Sequence, residues 1–372
     1  MDTTDIFLSA GDPSGDNAAA RLVESLRQIK PECQIFGLGG NRLRKLGQHQ
    51  LARPQDLAVL GFWEVAKRAR FFTGLLSSCA REIEQKRPAA IILVDYPGFN
   101  LRLAKKIKHL SIPIIYYITP QVWAWGRKRV KDIRKLVDLS LVILPFEKPF
   151  FESHDINTEF VGHYLVEDIP NEYIASPVPD STPPSLALLP GSRPQEIERM
   201  FAPMLEAARI FGKKYQMKVV VAAIKDVVDY ESYLGGYADM DVTLSYDNSR
   251  RVVFDSTLVL TASGTATLET AIIGRPMVVI YKTGFLTYQI ARRLVKLDKI
   301  ALVNLVLDQK VVPELIQRQA SPRRIADALE KLYTDSAYYQ SVKAMLNHVP
   351  QLLGGEGASQ RAARLIADRY LK

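Results

Sequence analysis

The amino-acid sequence predicts an α/β protein of two Rossmann-like, doubly wound domains facing across a cleft, with a C-terminal helix crossing back to the first. Three observations predict it. A chain of 372 residues is too long for one ordinary hydrophobic core. Short apolar runs alternate with amphipathic stretches twice over, which implies parallel sheets joined by right-handed crossovers. Between the two halves the texture breaks: residues 168–185 hold five prolines among Ser, Thr and acids, with no periodicity.

In the first half the expected strands are 5–9, 34–38, 90–94, 112–118 and 139–144. Ile91-Ile92-Leu93-Val94 and Ile114-Ile115-Tyr116-Tyr117 are continuous apolar runs, as parallel strands covered on both faces require. Helical patterns lie between them, notably 16–30 and 101–110. After the proline-rich stretch the theme resumes with strand 186–189, helix 195–211, strand 217–222, strand 257–261, helix 265–273 and strand 277–281. A last helix, 356–370, follows the Gly354-Gly355 break. The expected domains are therefore 1–168, a linker 169–185, a second domain 186–350, and a returning helix in 351–372.

Composition excludes several classes. Hydrophobic content of 47% and charged content of 24% are those of a globular protein, and two cysteines, Cys33 and Cys79, cannot form a disulfide framework. No signal-peptide pattern opens the chain and no apolar stretch is long enough to span a bilayer, so the cytoplasm is the expected location. The net charge of +9 is uneven: residues 101–135 carry ten Lys/Arg and one acid, Asp132. Residues 151–185 carry seven acids and no Lys or Arg. A basic first domain suits an anionic partner such as nucleic acid, a phosphorylated substrate or an acidic membrane, although a solvated helix face has the same letters.

Four segments place Gly, Ser or Asp where a strand hands over to a helix. Gly11-Asp12-Pro13-Ser14-Gly15-Asp16 offers glycine backbone and a helix N-terminus to a negative ligand, or is a tight turn with Asp16 as N-cap. Asp95, in Val94-Asp95-Tyr96-Pro97-Gly98-Phe99-Asn100, is a carboxylate partly desolvated by Tyr96 and Phe99. It suits a general base, or else caps a turn. Gly191-Ser192-Arg193 combines amides with an Arg fork, a reasonable phosphate clamp. Ser263-Gly264-Thr265-Ala266-Thr267-Leu268-Glu269 puts amides and hydroxyls at a helix mouth suited to a diphosphate, with Glu269 more than a turn deeper, where it could hold both hydroxyls of a ribose.

Weaker signals accompany these. Asp239-Met240-Asp241 has a metal-site form but sits among loop residues. The five histidines show no metal-ligand spacing, and no Gly-x-Ser-x-Gly elbow occurs. Trp123 and Trp125 are either a sugar platform or packed aromatics. Leu57–Trp63, including Leu60, Phe62 and Trp63, has Lys67, Arg68 and Arg70 downstream. That pattern fits docking on an anionic bilayer or acyl-chain binding, or equally a buried helix.

Taken together these segments resemble the lipid-A-disaccharide synthase family, glycosyltransferases of the two-domain B-type (GT-B) fold. The resemblance runs over nearly the whole chain, through the 11–16 turn, Asp56–Gly61, Val94–Asn100, Gln121–Trp125, Leu144-Pro145-Phe146-Glu147 and Phe160-Val161-Gly162-His163. It continues through Leu189–Arg193, Ser263–Glu269, Asn304-Leu305 and Pro313-Glu314-Leu315-Ile316-Gln317. It implies transfer from UDP-2,3-diacylglucosamine to 2,3-diacylglucosamine 1-phosphate (lipid X), giving a β(1→6) disaccharide and UDP. The setting it implies is the cytoplasmic face of the inner membrane, with peripheral attachment to that anionic surface, no metal or other cofactor, and no nucleic acid.

By the same resemblance Asp95 is expected to be the catalytic base or a residue that only orients the acceptor, and Arg193 with Ser263–Thr265 to stabilise departing UDP. Ser192, Ala266, Thr267, Glu269, Asn304, Glu314 and Gln317 complete the donor side. The 11–16 turn, Leu60, Phe62, Trp63, Trp125, Arg127, Lys128 and Arg129 serve the acceptor and its acyl chains. The family's first turn usually carries Glu where this chain has Asp12. Tyr164 follows Gly-His163 where Pro or Thr is common, and Gly126 stands where a basic residue often follows the Trp. Rival readings are a UDP-GlcNAc 2-epimerase or peptidoglycan-precursor glycosyltransferase of the same fold, or a non-enzymatic basic module. Whether the last helix stays in its own chain or swaps into a homodimer is open.

Overall fold

The computed structural model describes residues 4–52, 69–123, 128–177, 184–283 and 299–371. Each half of the chain builds one parallel sheet. The first half runs β1 (Ile6–Ala10), α1 (Pro13–Ile29), β2 (Ile35–Leu38), α2 (Asn41–Lys45), β3 (His49–Gln50) and α3 (Ala69–Lys86). It continues through β4 (Ala90–Val94), α4 (Pro97–Ile107), β5 (Ile114–Tyr117), α5 (Lys128–Leu136), β6 (Leu139–Val142), α6 (Glu147–Glu152) and β7 (Thr158–Phe160). The strand order is β3-β2-β1-β4-β5-β6-β7. Phe7, Ile91, Leu93 and Tyr116 pack with Leu75 and Ile83 of α3, Leu103 of α4 and Ile133 of α5 in one buried cluster, which is why these strands read as unbroken apolar runs.

The second half opens with α7 (Leu165–Asp168), followed by β8 (Ser185–Leu189), α8 (Pro194–Tyr215), β9 (Lys218–Ala223), α9 (Tyr230–Leu234), β10 (Val242–Tyr246) and α10 (Ser249–Phe254). Then come β11 (Leu258–Ala262), α11 (Thr265–Ile273), β12 (Met277–Tyr281), α12 (Leu302–Val306), β13 (Glu314–Ile316), α13 (Pro322–Thr334), α14 (Ser336–Leu346) and α15 (Val349–Leu352). The strand order is β10-β9-β8-β11-β12-β13. The last helix is α16 (Ala358–Tyr370).

Two compact units result: Met1–Tyr164 with Gly354–Lys372, and Leu165–Leu353. The C-terminus thus belongs to the first unit, where α16 packs along α1. Arg361 fastens the re-entering chain. Its Nε donates to the carbonyl of Val161 (2.8 Å), Nη2 to Gly354 (2.9 Å) and Nη1 to Glu356 (2.6 Å). In the second unit the Arg275 guanidinium, wholly buried, donates to the carbonyls of Ser176, Pro177, Ile273 and Phe254 and to the Ser176 hydroxyl. Part of the proline-rich stretch is thereby pinned to the unit's body.

Several boundaries differ from the sequence-based expectations. α1 starts at Pro13 rather than at residue 16, because Asp12 is its N-cap: Asp12 Oδ1 accepts the Gly15 N–H at 2.6 Å. Asp16, the cap considered from sequence, is instead inside the helix and buried. α4 starts at Pro97 rather than 101, again with proline in the first turn, where its missing N–H costs nothing. β3, β7 and β13 carry too little apolar pattern to be read from sequence: they are two or three residues long and lie at sheet edges, whereas β10 alternates Val242, Leu244 and Tyr246 and is absent from the expected strands.

Candidate active site

In a doubly wound sheet a crevice opens at the carboxyl ends of the two strands flanking the point where strand order reverses. In the first sheet those strands are β1 and β4, and in the second β8 and β11. The turn after β1 begins Gly11-Asp12, and the turn after β4 is Asp95-Tyr96. The turn after β8 is Pro190–Arg193, and that after β11 is Ser263-Gly264. The four segments singled out in the sequence therefore fall in two pairs, one at each switch point.

At the first switch point the backbone is strained. Asp95 and Tyr96 are successive left-handed residues (φ 43° and 50°), and Tyr96 precedes a proline, which normally favours an extended residue. Such conformations cost about 1–3 kcal/mol each and gather at functional sites. The Asp95 carbonyl accepts from the Tyr116 hydroxyl at 2.6 Å and from Asn100 Nδ2 at 2.8 Å, while Asn100 Oδ1 accepts from Ser9 at 2.7 Å. Burial pushes the Asp95 carboxyl up to about 6, the charge of Asp12 pushes the same way, and a backbone hydrogen bond from Tyr96 offsets part of it. A carboxylate with that affinity is ionised at neutral pH yet basic enough to take a proton.

The neighbouring turn is shaped around it. Ser14 is exposed, whereas Gly11, Gly15 and Asp16 are buried. The Asp16 carboxylate accepts the N–H groups of Gly40 (2.7 Å), Arg42 (2.9 Å) and Leu43 (3.3 Å), so it caps α2. Glu147, at the start of α6, is a buried carboxylate on which three donors converge: Trp123 Nε1 (2.9 Å) and the amides of Ile143 (3.3 Å) and Leu144 (3.0 Å). Burial raises its carboxyl to about 7, against those hydrogen bonds, and the charge of Asp95 adds to the rise. Trp123 stands edge-on to Phe146, with ring centroids 4.9 Å apart. Its indole is thus held by Glu147 and Phe146, and it is half-buried. Burial also lowers the His163 imidazole to about 3.

Arg129 is exposed on α5, and Lys128 opens that helix. Leu60, Phe62, Trp63, Trp125 and Arg127 lie outside the described residues, and so does the side chain of Lys128.

At the second switch point the N-terminus of α11 has Gly264 as its cap, and the first-turn amides of Thr265 and Ala266 have no acceptor within the helix. Ser263 N–H is spent on Ile280 of β12, and the Thr267 hydroxyl bonds the Gly264 carbonyl at 2.8 Å. A Cβ on Gly264 would meet nothing within 4 Å, so that backbone is open to approach. Arg193 has 81% of its side chain exposed and pairs with Glu196 at 3.3 Å, which also accepts the Ser192 amide at 3.4 Å. Arg250 Nε and Nη2 hold Glu269 Oε1 at 2.9 and 2.8 Å.

The remaining donor-side residues sit in internal bonds. Asn304 is fully buried. Its Oδ1 accepts the amides of Val311 and Val312, and its Nδ2 donates to the Val312 carbonyl and to Glu314 Oε1 at 2.7 Å. Glu314 takes the amides of Ile300 and Ala301 at the entry to α12. Gln317 Nε2 donates to the Thr283 carbonyl at 3.2 Å. Sequence reasoning missed Asn100, Tyr116 and Arg250 as site-shaping groups. Asn100 did carry a signal, as a buried polar residue in an otherwise apolar helix start.

A parallel, doubly wound sheet in each of two units is the architecture of the GT-B fold. The fold comparisons agree. An S. aureus MnaA structure with UDP matches with a TM-score of 0.69 at 13% identity, covering 99% of this chain and 97% of that one. The glycosyltransferase CalG4 of calicheamicin matches at 0.63 and 17% over the full length of both.

Sequence comparison narrows the class. The family described as lipid-A-disaccharide synthetase matches residues 6–367. Lipid-A-disaccharide synthases of Anaeromyxobacter dehalogenans (strain 2CP-C) and Nitrosococcus oceani are 41% and 39% identical, each over 97% of this chain and 96% and 95% of their own. The chain belongs to the lipid-A-disaccharide synthase family, and it is a glycosyltransferase of lipid A synthesis.

Proposed function

We propose that the chain transfers diacylglucosamine from UDP-2,3-diacylglucosamine to the 6-hydroxyl of 2,3-diacylglucosamine 1-phosphate with inversion, and without a metal. Asp95 takes the hydroxyl proton as the oxygen bonds to the anomeric carbon. The bond from that carbon to the diphosphate breaks, and its electron pair leaves with UDP. Arg193 and the first-turn amides of α11 neutralise that charge, the task a cation performs in other transferases. Glu269, oriented by Arg250, holds the ribose. The observation that carries this reading is what each switch point holds by itself: a carboxyl raised to about 6 after β4, and an open helix N-terminus after β11.

The exposed cations of α4 and α5, which pack side by side, support attachment to an anionic membrane surface: Arg102, Lys105, Lys106, Lys131, Arg134 and Lys135. No described helix is long and apolar enough to cross a membrane.

The test is UDP release from UDP-2,3-diacylglucosamine, with and without the acceptor, in EDTA. Release that requires the acceptor and survives EDTA is the expected result. Loss of turnover in EDTA overturns the metal-free mechanism, and turnover of plain UDP-GlcNAc alone overturns the assignment of the acceptor.

A further inference from the structure

We propose that Tyr116 and Asn100 are positioning residues for Asp95: together they clamp its main-chain carbonyl and so fix the direction of its carboxylate. The inference rests on Asp95 being the base and adds what holds that base in place.

The clamp draws on three elements around the exit of β4. Tyr116 comes from β5, Asn100 from α4 and Ser9 from β1. The Tyr116 hydroxyl donates to the Asp95 carbonyl at 2.6 Å, and Asn100 Nδ2 donates to the same oxygen at 2.8 Å and to Val94 at 3.2 Å. Ser9 donates to Asn100 Oδ1 at 2.7 Å, which fixes the amide's orientation. All three side chains are fully buried, and Tyr116 sits in the hydrophobic cluster among Phe7, Ile91 and Leu93. A buried hydroxyl and a buried amide are costly unless paired, and phenylalanine would fill the place of Tyr116 without that burden. The Asp95 carbonyl is where the Tyr116 hydroxyl and the Asn100 amide converge.

That carbonyl belongs to the first of two consecutive left-handed residues. A non-glycine residue stays in this region only when its surroundings over-determine it. The Asp95 amide is held as well, donating to Tyr117 at 3.1 Å. With the backbone fixed on both sides, the Cα–Cβ direction is fixed, and with it the reach of the carboxylate. Releasing the carbonyl lets Asp95 relax to an ordinary conformation, and its side chain turns away.

The experiment measures kcat and both KM values by UDP release for the full chain, in wild type, Tyr116→Phe, Asp95→Asn and the double variant. Tyr116→Phe is expected to lower kcat between about tenfold and a hundredfold, as misplacement of a reacting group does. Both KM values should stay within about twofold. In the Asp95→Asn background the same substitution should cost nothing further on the residual activity, because no base remains to be aimed. Wild-type kcat in Tyr116→Phe overturns the proposal, and so does an equal loss in the Asp95→Asn background or an effect confined to KM. Wild-type kcat in Asp95→Asn overturns the reading of the base itself, a separate outcome. Should Tyr116→Phe not fold, Ser9→Ala loosens Asn100 alone. A smaller fall in kcat at constant KM supports the clamp there, and an unchanged kcat overturns it.

Discussion

Gly11 and Tyr96 lie in contact that leaves no room for a side chain: a Cβ on Gly11 would stand 2.3 Å from Tyr96 Cδ1. The glycine is needed here for close approach, not for an unusual φ. Tyr96 is left-handed and stacks on Phe99, with ring centroids 5.8 Å apart, so its ring is directed over the β1 turn. The two turns at the first switch point are thus fitted to each other.

Gly11→Ala should therefore displace Tyr96 and the adjoining Asp95. Forcing a methyl group into a filled site costs typically about 1–3 kcal/mol. Chemical denaturation should show a loss in that range, with a kcat reduced beyond what the unfolded fraction explains. An unchanged denaturation midpoint and kcat would show that the ring moves aside freely.

Asp95→Asn should remove activity by about 10²–10⁴-fold, the usual worth of a general base. In the wild type, activity should rise with pH through about 6 rather than near the ordinary 3.8, because the proposed base must be ionised. The same raised value means that the folded state holds a proton longer than the unfolded chain. Wild-type stability therefore falls as pH climbs from 3.8 to about 6 and does not recover above it. Asp95→Asn escapes that loss. Its Tm should exceed that of wild type at pH 7.5, with the gap closing toward pH 4, and a constant gap across the range would contradict the shift.

Arg193→Ala should separate catalysis from folding. The side chain is 81% exposed and its pairing with Glu196 is a surface contact, so Tm should hardly change. Loss of charge stabilisation on the departing UDP should lower kcat by about 10²–10³-fold, the scale for removing one such donor. Full activity in this variant would remove Arg193 from the mechanism.

Asn304→Ala should act first on stability. It strands the amides of Val311 and Val312 and takes a donor from Glu314, each unsatisfied buried group costing about 1–3 kcal/mol. A large drop in Tm is the expected result. A wild-type Tm with a raised KM for the donor would instead place Asn304 against the ligand.

Charge reversal of Lys105, Lys106 and Lys131 should weaken sedimentation with vesicles containing anionic phospholipid, by about 1 kcal/mol per residue and less at high salt. Equal binding of wild type and variant to such vesicles would move the membrane surface elsewhere.

Much of the fold was legible because its signals are local. A buried parallel strand needs an unbroken apolar run, so Ile91–Val94 and Ile114–Tyr117 announce themselves. The turns that carry the candidate site were legible as turns, since a strand ending in Gly, Ser or Asp before a helix is a short-range pattern. Less visible were β7 and β13, whose three residues hold no period, and Asp16, whose partners on α2 lie 24 to 27 positions away.

The sequence by itself determined two α/β halves and four strand-end turns, with Asp95 among them as either a base or a turn cap. Only the tertiary structure decided that those turns meet in pairs, because sheet order, not chain order, sets which strands flank a switch point. It alone put Asp95 in a left-handed backbone held by Asn100, whose amide is fixed in turn by Ser9, 91 positions away. It also gave Asn304 and Glu314 to each other through a 2.7 Å hydrogen bond. The physical reason is common to all three: hydrogen-bonding capacity is fixed by residue type, but the partner that takes it up is chosen by packing.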